Sequence, residues 1–73
     1  MIEIYGSENC SKCKMIVSKL EAKNIKHTYS INQDEVISAS VLYKTRMLPI
    51  CVMGGEYKEY MDMNNWINRQ IID

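Results

Sequence analysis

Cys10-Ser11-Lys12-Cys13 places two thiols two residues apart, a spacing at which a pair of cysteines can close to a disulfide and reopen. Thiol–disulfide exchange of this kind needs no metal and no organic cofactor. It does need a thiolate, so one sulfur must sit where negative charge is stabilised. An apolar segment, Ile2-Glu3-Ile4-Tyr5, precedes the pair, and a helical-period set, Cys13, Ile16, Val17 and Leu20, follows it. The pair therefore falls at a strand-to-helix junction, with Cys10 facing the free N–H groups and positive dipole end of the helix. A fall in its pKa from about 8.5 to roughly 6.5 corresponds to about 2.7 kcal/mol in favour of the thiolate. Cys10 is the expected nucleophile. Cys13, a turn further in, suits the resolving role, in which it attacks the mixed disulfide at Cys10 and frees the reduced partner. Lys12 adds a flexible cation, and Ser11 leaves the backbone amides free to donate.

The elements that must position this pair follow from periodicity. A first strand over 2–5 leads through a loop at 6–9 into a helix over 11–23, with Lys12, Lys14, Lys19 and Lys23 mostly on its wet side and Asn24 as its left-handed terminator. Residues 27–31 alternate as a second strand, with Tyr29 and Ile31 on one side. A strand, a helix and a strand joined by short links make a right-handed crossover between parallel neighbours. Asn32 or Asp34 caps a second helix to about Lys44, packing through Val36, Ile37, Val41 and Tyr43, with Ala39 allowing close approach to the sheet. Pro49 to Met53 is a third strand, Gly54-Gly55 a tight turn, and Glu56 to Tyr60 a fourth strand antiparallel to the third. Asp62 then caps a last helix over 63–72 that covers the sheet with Met63, Trp66, Ile67 and Ile71. The order is β-α-β-α-β-β-α, an α/β fold with a four-stranded mixed sheet flanked by three helices.

Composition bounds the rest. The 73 residues, 47% hydrophobic, suffice for one domain spanning 1–73 with a modest core. A formal net charge of zero argues against a nucleic-acid partner held by phosphate neutralisation. No apolar run approaches the roughly 18 residues needed to cross a bilayer, so no membrane partner is expected. The start reads as a strand rather than an export signal, and three cysteines leave one thiol over in any disulfide set, so a cytoplasmic location is expected; the chain is expected to be a monomer. A close cysteine pair is also half of a zinc site, but the other donors are Cys51 and His27, on separate strands, which disfavours a closed tetrahedral site. Cys51 itself reads as a small buried hydrophobe.

The Cys10-Ser11-Lys12-Cys13 pair after the first strand, Leu48-Pro49-Ile50 opening the third, and Gly54 at the hairpin resemble the thioredoxin-fold family in its short glutaredoxin-like form, over essentially the whole chain. The resemblance implies a cis bond before Pro49, facing the dithiol, and a backbone at Leu48 that pairs with the incoming substrate. The residues alone also allow Pro49 as a trans starter of an edge strand. Tyr5, Met47 and Leu48 are candidates for an apolar rim around Cys10, and Ser11, Lys12 and Pro49 complete the expected substrate-binding set.

The implied activity is that of a dithiol oxidoreductase passing electrons to protein disulfides or to a reductase such as ribonucleotide reductase. Its own electrons would come from glutathione or from a thioredoxin reductase, a choice the residues leave open. Lys58-Glu59 stands where glutaredoxins carry paired glycines, Lys12 replaces the usual aromatic between the cysteines, and both departures weigh against glutathione. Lys12, Lys44 or Arg46 could anchor a carboxylate. The C-terminal segment typical of the thioredoxin-reductase-dependent branch has no clear match either.

Overall fold

Burial along the two central strands is that of a sheet covered on both faces. In the computed structural model, which describes residues 1–70, Ile2 and Ile4 of β1 (Ile2–Tyr5) point to one face and Tyr5 to the other. β3 (Ile50–Met53) is buried at Ile50, Cys51 and Val52 in succession, the pattern of a central strand covered on both sides. The sheet order is β2-β1-β3-β4: β2 (His27–Ser30) runs parallel to β1, while β3 is antiparallel to both β1 and β4 (Glu56–Lys58). Helices α1 (Ser11–Ala22) and α3 (Tyr60–Asn68) cover one face, and α2 (Gln33–Leu42) covers the other. This is the thioredoxin-like β-α-β-α-β-β-α arrangement, a mixed four-stranded sheet with three helices.

Two cores result. Beneath α1 and α3, Ile2, Ile4, Ile16, Leu20, Cys51, Met63 and Ile67 form one buried cluster. Beneath α2, Ala39, Ile50 and Val52 form a smaller one, flanked by Tyr5, Tyr43, Leu48 and Tyr57. Local chemistry marks the element ends. Asn24 takes a φ of 55° after α1, and the Ile25 N–H reaches back to the Leu20 carbonyl at 2.9 Å. The Asn32 side chain accepts from the Glu35 N–H at 3.1 Å and caps α2. Gly54 and Gly55 have φ of 60° and 82°, the left-handed pair that a two-residue hairpin turn between Met53 and Glu56 needs.

Several sequence expectations are corrected. α2 ends at Leu42 and packs chiefly through Ala39, whereas Ile37 and Val41 are 54% and 73% exposed. Val36 and Tyr43 are half-buried, Tyr43 beside Ala39, whose small side chain lets the helix approach the sheet. Ile31 lies beyond β2 and is exposed, so only Tyr29 of that pair packs inward. β4 stops at Lys58 and α3 begins at Tyr60, because Tyr60, Met63 and Ile67 lie on one helical face and must reach the same core. Glu59 is the residue preceding α3 and makes no side-chain cap, while Asp62 lies in the first turn, where its charge favours the dipole. Ile71 lies outside the described residues.

Lys19 and Lys23 are tied to α3 rather than facing water. Lys19 Nζ donates to Asn64 Oδ1, and Lys23 Nζ donates to the Ile67 and Gln70 carbonyls at 2.7 and 2.9 Å. A cation at these carbonyls satisfies acceptors that the end of a helix leaves free.

Candidate active site

Cys10 is the residue preceding α1, with extended backbone (φ −89°, ψ 105°), and its Sγ accepts the Cys13 N–H at 3.1 Å. A sulfur thus occupies the position that a serine or aspartate oxygen takes in an ordinary helix cap. Cys10 and Cys13 are joined by a disulfide, with their Cα atoms 5.2 Å apart, so the two sulfurs are within bonding reach on this backbone. The pair is asymmetric: Cys10 is half-buried, and Cys13 is fully buried. A partner can therefore touch the Cys10 sulfur but not the Cys13 sulfur without rearrangement.

The loop that delivers the pair is fastened at both ends. The Gly6 N–H donates to the Ser30 carbonyl at 2.9 Å, and the Ser7 carbonyl accepts from both the Cys10 N–H, at 3.3 Å, and the Tyr29 hydroxyl, at 3.2 Å. Gly6 is the functional position that sequence reasoning passed over. A Cβ there would stand 2.5 Å from Cys13 Sγ, 2.9 Å from Cys13 Cβ and 3.2 Å from Tyr29 Cε1. Only glycine leaves room for the buried sulfur, and the available signal was a glycine directly after the first strand and before the paired cysteines. Gly6→Ala is expected to destabilise the oxidised protein by about 1–3 kcal/mol, the usual range for overpacking, as a lowered denaturant midpoint with unchanged slope.

The α2–β3 connection carries Leu48 and Pro49, and Leu48 lines one cavity with Lys12, from between the cysteines, and another with Ser7 and Glu8, from the loop before them. Ser40 Oγ donates to the Thr45 carbonyl at 2.6 Å, the Thr45 N–H returns to the Ser40 carbonyl at 3.1 Å, and Thr45 Oγ1 accepts the Met47 N–H at 3.3 Å. These bonds hold the run into Leu48-Pro49, whose peptide is cis. The backbone N–H and carbonyl of Leu48 find no partner among the described residues. Lys12, Met47, Leu48 and Pro49 come together along a groove of about 480 Å³, closed on its far side by Tyr57, Glu59, Tyr60 and Met61. Within it, Lys12 Nζ lies 5.4 Å from the centre of the Tyr60 ring, and the Tyr60 hydroxyl donates to Met15 Sδ at 3.3 Å.

Tyr5 does not join this set. It packs on the α2 side and lines a separate cavity of about 300 Å³ with Asp34, Glu35, Ser38, Ala39, Leu42 and Tyr43. Burial and then the nearby Glu3 charge push its hydroxyl above the ordinary tyrosine range. Ser11 is exposed at the start of α1 and lines none of these cavities, and neither Lys44 nor Arg46 lines the groove beside Lys12. His27 is engaged by the Ile25 carbonyl, with Nδ1 2.8 Å away, and among the described residues no group of three or more His, Cys, Asp or Glu side chains gathers where it could hold a metal ion.

Cys51 is sealed in the α1/α3 core, and burial pushes its thiol up to about 12. With the folded value above the unfolded one, the folded chain holds this proton after the unfolded chain has lost it. The contribution is fully present below the unfolded pKa of about 9 and is lost as pH rises toward about 12. Stability is therefore expected to fall through this window, by at most about 4 kcal/mol from this thiol. Tyr5 and Tyr29, also raised by burial, act in the same direction at higher pH. Denaturant unfolding as a function of pH tests this, and Cys51→Ala should flatten the first part of the decline.

Compared with known proteins, the chain matches no family model, no curated relative and no solved structure. Among the described residues no helix is long and apolar enough to cross a membrane. A disulfide-forming cysteine pair at the first helix of a thioredoxin-like fold is consistent with a dithiol–disulfide redox role.

Proposed function

We propose that the chain is a small dithiol–disulfide oxidoreductase of the glutaredoxin-like kind, an electron carrier that reduces protein disulfides in the cytoplasm. The observation that carries this reading is the unequal placement of two bonded sulfurs: Cys10 is accessible and holds the Cys13 N–H, and Cys13 is buried directly behind it.

The chemistry follows from that placement. In the reduced protein, the Cys10 thiolate attacks one sulfur of the partner's disulfide. A Cys10–partner disulfide forms, the partner's S–S bond breaks, and the other partner sulfur leaves as a thiolate with the bonding pair. Cys13, deprotonated in turn, attacks Cys10 Sγ. The Cys10–Cys13 disulfide closes, and the second partner thiolate leaves. Two electrons have passed to the partner, which takes up two protons from solvent, and a thiol reductant must restore the pair. The unpaired backbone edge at Leu48 offers hydrogen bonds to an extended chain at the moment of attack.

The reductant divides two readings. Glutathione would have to place its carboxylates in a groove where Glu59 stands beside Lys12, so the protein-disulfide reading is preferred. A coupled turnover assay with one disulfide substrate, comparing glutathione plus its reductase against thioredoxin reductase, is expected to show turnover with the second. Turnover with glutathione alone at equal rate would make the chain a glutathione-dependent glutaredoxin. No turnover with any thiol reductant, together with one zinc per chain released on acidification, would replace the redox reading with a metal-binding one.

A further inference from the structure

Leu48 is the wall between two grooves. On one side lies the groove of Lys12, Pro49 and Tyr60, and on the other a groove of about 420 Å³ formed by the loop leading to Cys10 (Gly6, Ser7, Glu8) and the start of α2 (Val36, Ile37), with Ile31. Both hold large apolar side chains facing water: Met47 and Met61 are 73% and 60% exposed in the first, Ile31 and Ile37 44% and 54% in the second. Their charges differ. The first is lined by one cation, Lys12, and one anion, Glu59, while the charged side chain lining the second is Glu8. Asp34 and Glu35 follow in the first turn of α2, and no lysine or arginine occurs between His27 and Tyr43.

We propose that the α2-side groove is a specificity subsite for an extended segment of a partner protein that crosses Leu48 and places an aliphatic residue, accompanied by a lysine or arginine, against Ile37 and Glu8. This inference rests on the redox reading and names its substrate class. An extended polypeptide is the occupant because the apolar surface continues on both sides of one unpaired backbone edge, and a small thiol fills one groove at most. Its basic residue follows from the one-signed charge of the α2 side.

The test uses peptides whose single cysteine is held as a mixed disulfide with thionitrobenzoate. The Cys10 thiolate attacks the peptide sulfur, the S–S bond breaks, and coloured thionitrobenzoate leaves with the bonding pair. Cys13 then displaces the peptide thiolate from Cys10. Ile-Lys or Ile-Glu is placed before or after the cysteine, giving four peptides, and the rate of colour release is followed at low salt. In one of the two placements, lysine is expected to outrun glutamate by about fivefold, the scale of a partly exposed charge pair turned from repulsion to attraction. The preference should shrink at high salt and vanish in Glu8→Gln. Ile37→Ser should slow the favoured peptide relative to one with glycine in place of isoleucine, and Val41→Ser, outside the groove, should leave the ranking unchanged.

A lysine preference below about twofold in both placements, within the noise of such surface pairs, would overturn the subsite, as would a preference that survives Glu8→Gln. The thionitrobenzoate mixed disulfide of glutathione reacting as fast as the favoured peptide would also overturn it. If even free dithiobis(nitrobenzoate), the symmetrical disulfide of thionitrobenzoate, fails to react with Cys10, the redox reading itself fails, a result distinguishable from the others.

Discussion

Cys10→Ser is expected to abolish disulfide reduction, a loss on the order of a thousandfold or more, because a serine hydroxyl is not ionised near neutral pH and cannot form the mixed disulfide. The fold should survive the change. Position 10 caps α1 through an acceptor to the Cys13 N–H, and a serine oxygen does the same. Loss of activity in a protein whose circular dichroism and denaturant midpoint match those of the reduced wild type would therefore report chemistry rather than unfolding. Turnover of a protein disulfide under a fixed reductant measures the effect. Retention of more than about a tenth of wild-type turnover would show that Cys10 is not the attacking group.

Cys13→Ser should have a different outcome, accumulation in place of loss. Cys10 still attacks, but the second displacement has no sulfur to perform it, so the partner remains covalently attached. Mass measurement under non-reducing conditions should find close to one partner thiol per chain, released by excess reductant and absent when Cys10 is also replaced. The buried position of Cys13 is why the roles are not interchangeable. An adduct that forms through Cys13 in the Cys10→Ser protein, at the rate of the wild-type reaction, would reverse the assignment.

The parts of this site legible in the sequence were those carried by strong local signals. The cysteine pair falls where a short apolar strand gives way to a helical-period run, and α1 does begin at Ser11 with Cys10 before it. Gly54-Gly55 between alternating residues marks a hairpin, and both glycines take left-handed backbone. α2 was harder to orient because Val36, Ile37, Ala39, Val41 and Leu42 are spread around the helix, so no single face stands out. The packed face was chosen by the small Ala39, which lets the helix lie close to Ile50 and Val52. Tyr5 went to the α2 side because strand alternation places it opposite Ile4, which fills the other core. Gly6 carries no such local signal, because its reason for being glycine is a contact across the turn to Cys13 and Tyr29 that exists only in the folded chain.

Exchange through Cys10 requires its sulfur to be held as an anion by the start of α1, and ultraviolet titration of the thiolate in the reduced Cys13→Ser protein tests that most directly. Cys51, pushed up to about 12 by burial, leaves the lower range clear for Cys10. Ionisation is expected well below the free-thiol value of about 8.5, with the reaction rate toward a small disulfide following the same curve. Ionisation at or above about 8.5 would contradict it.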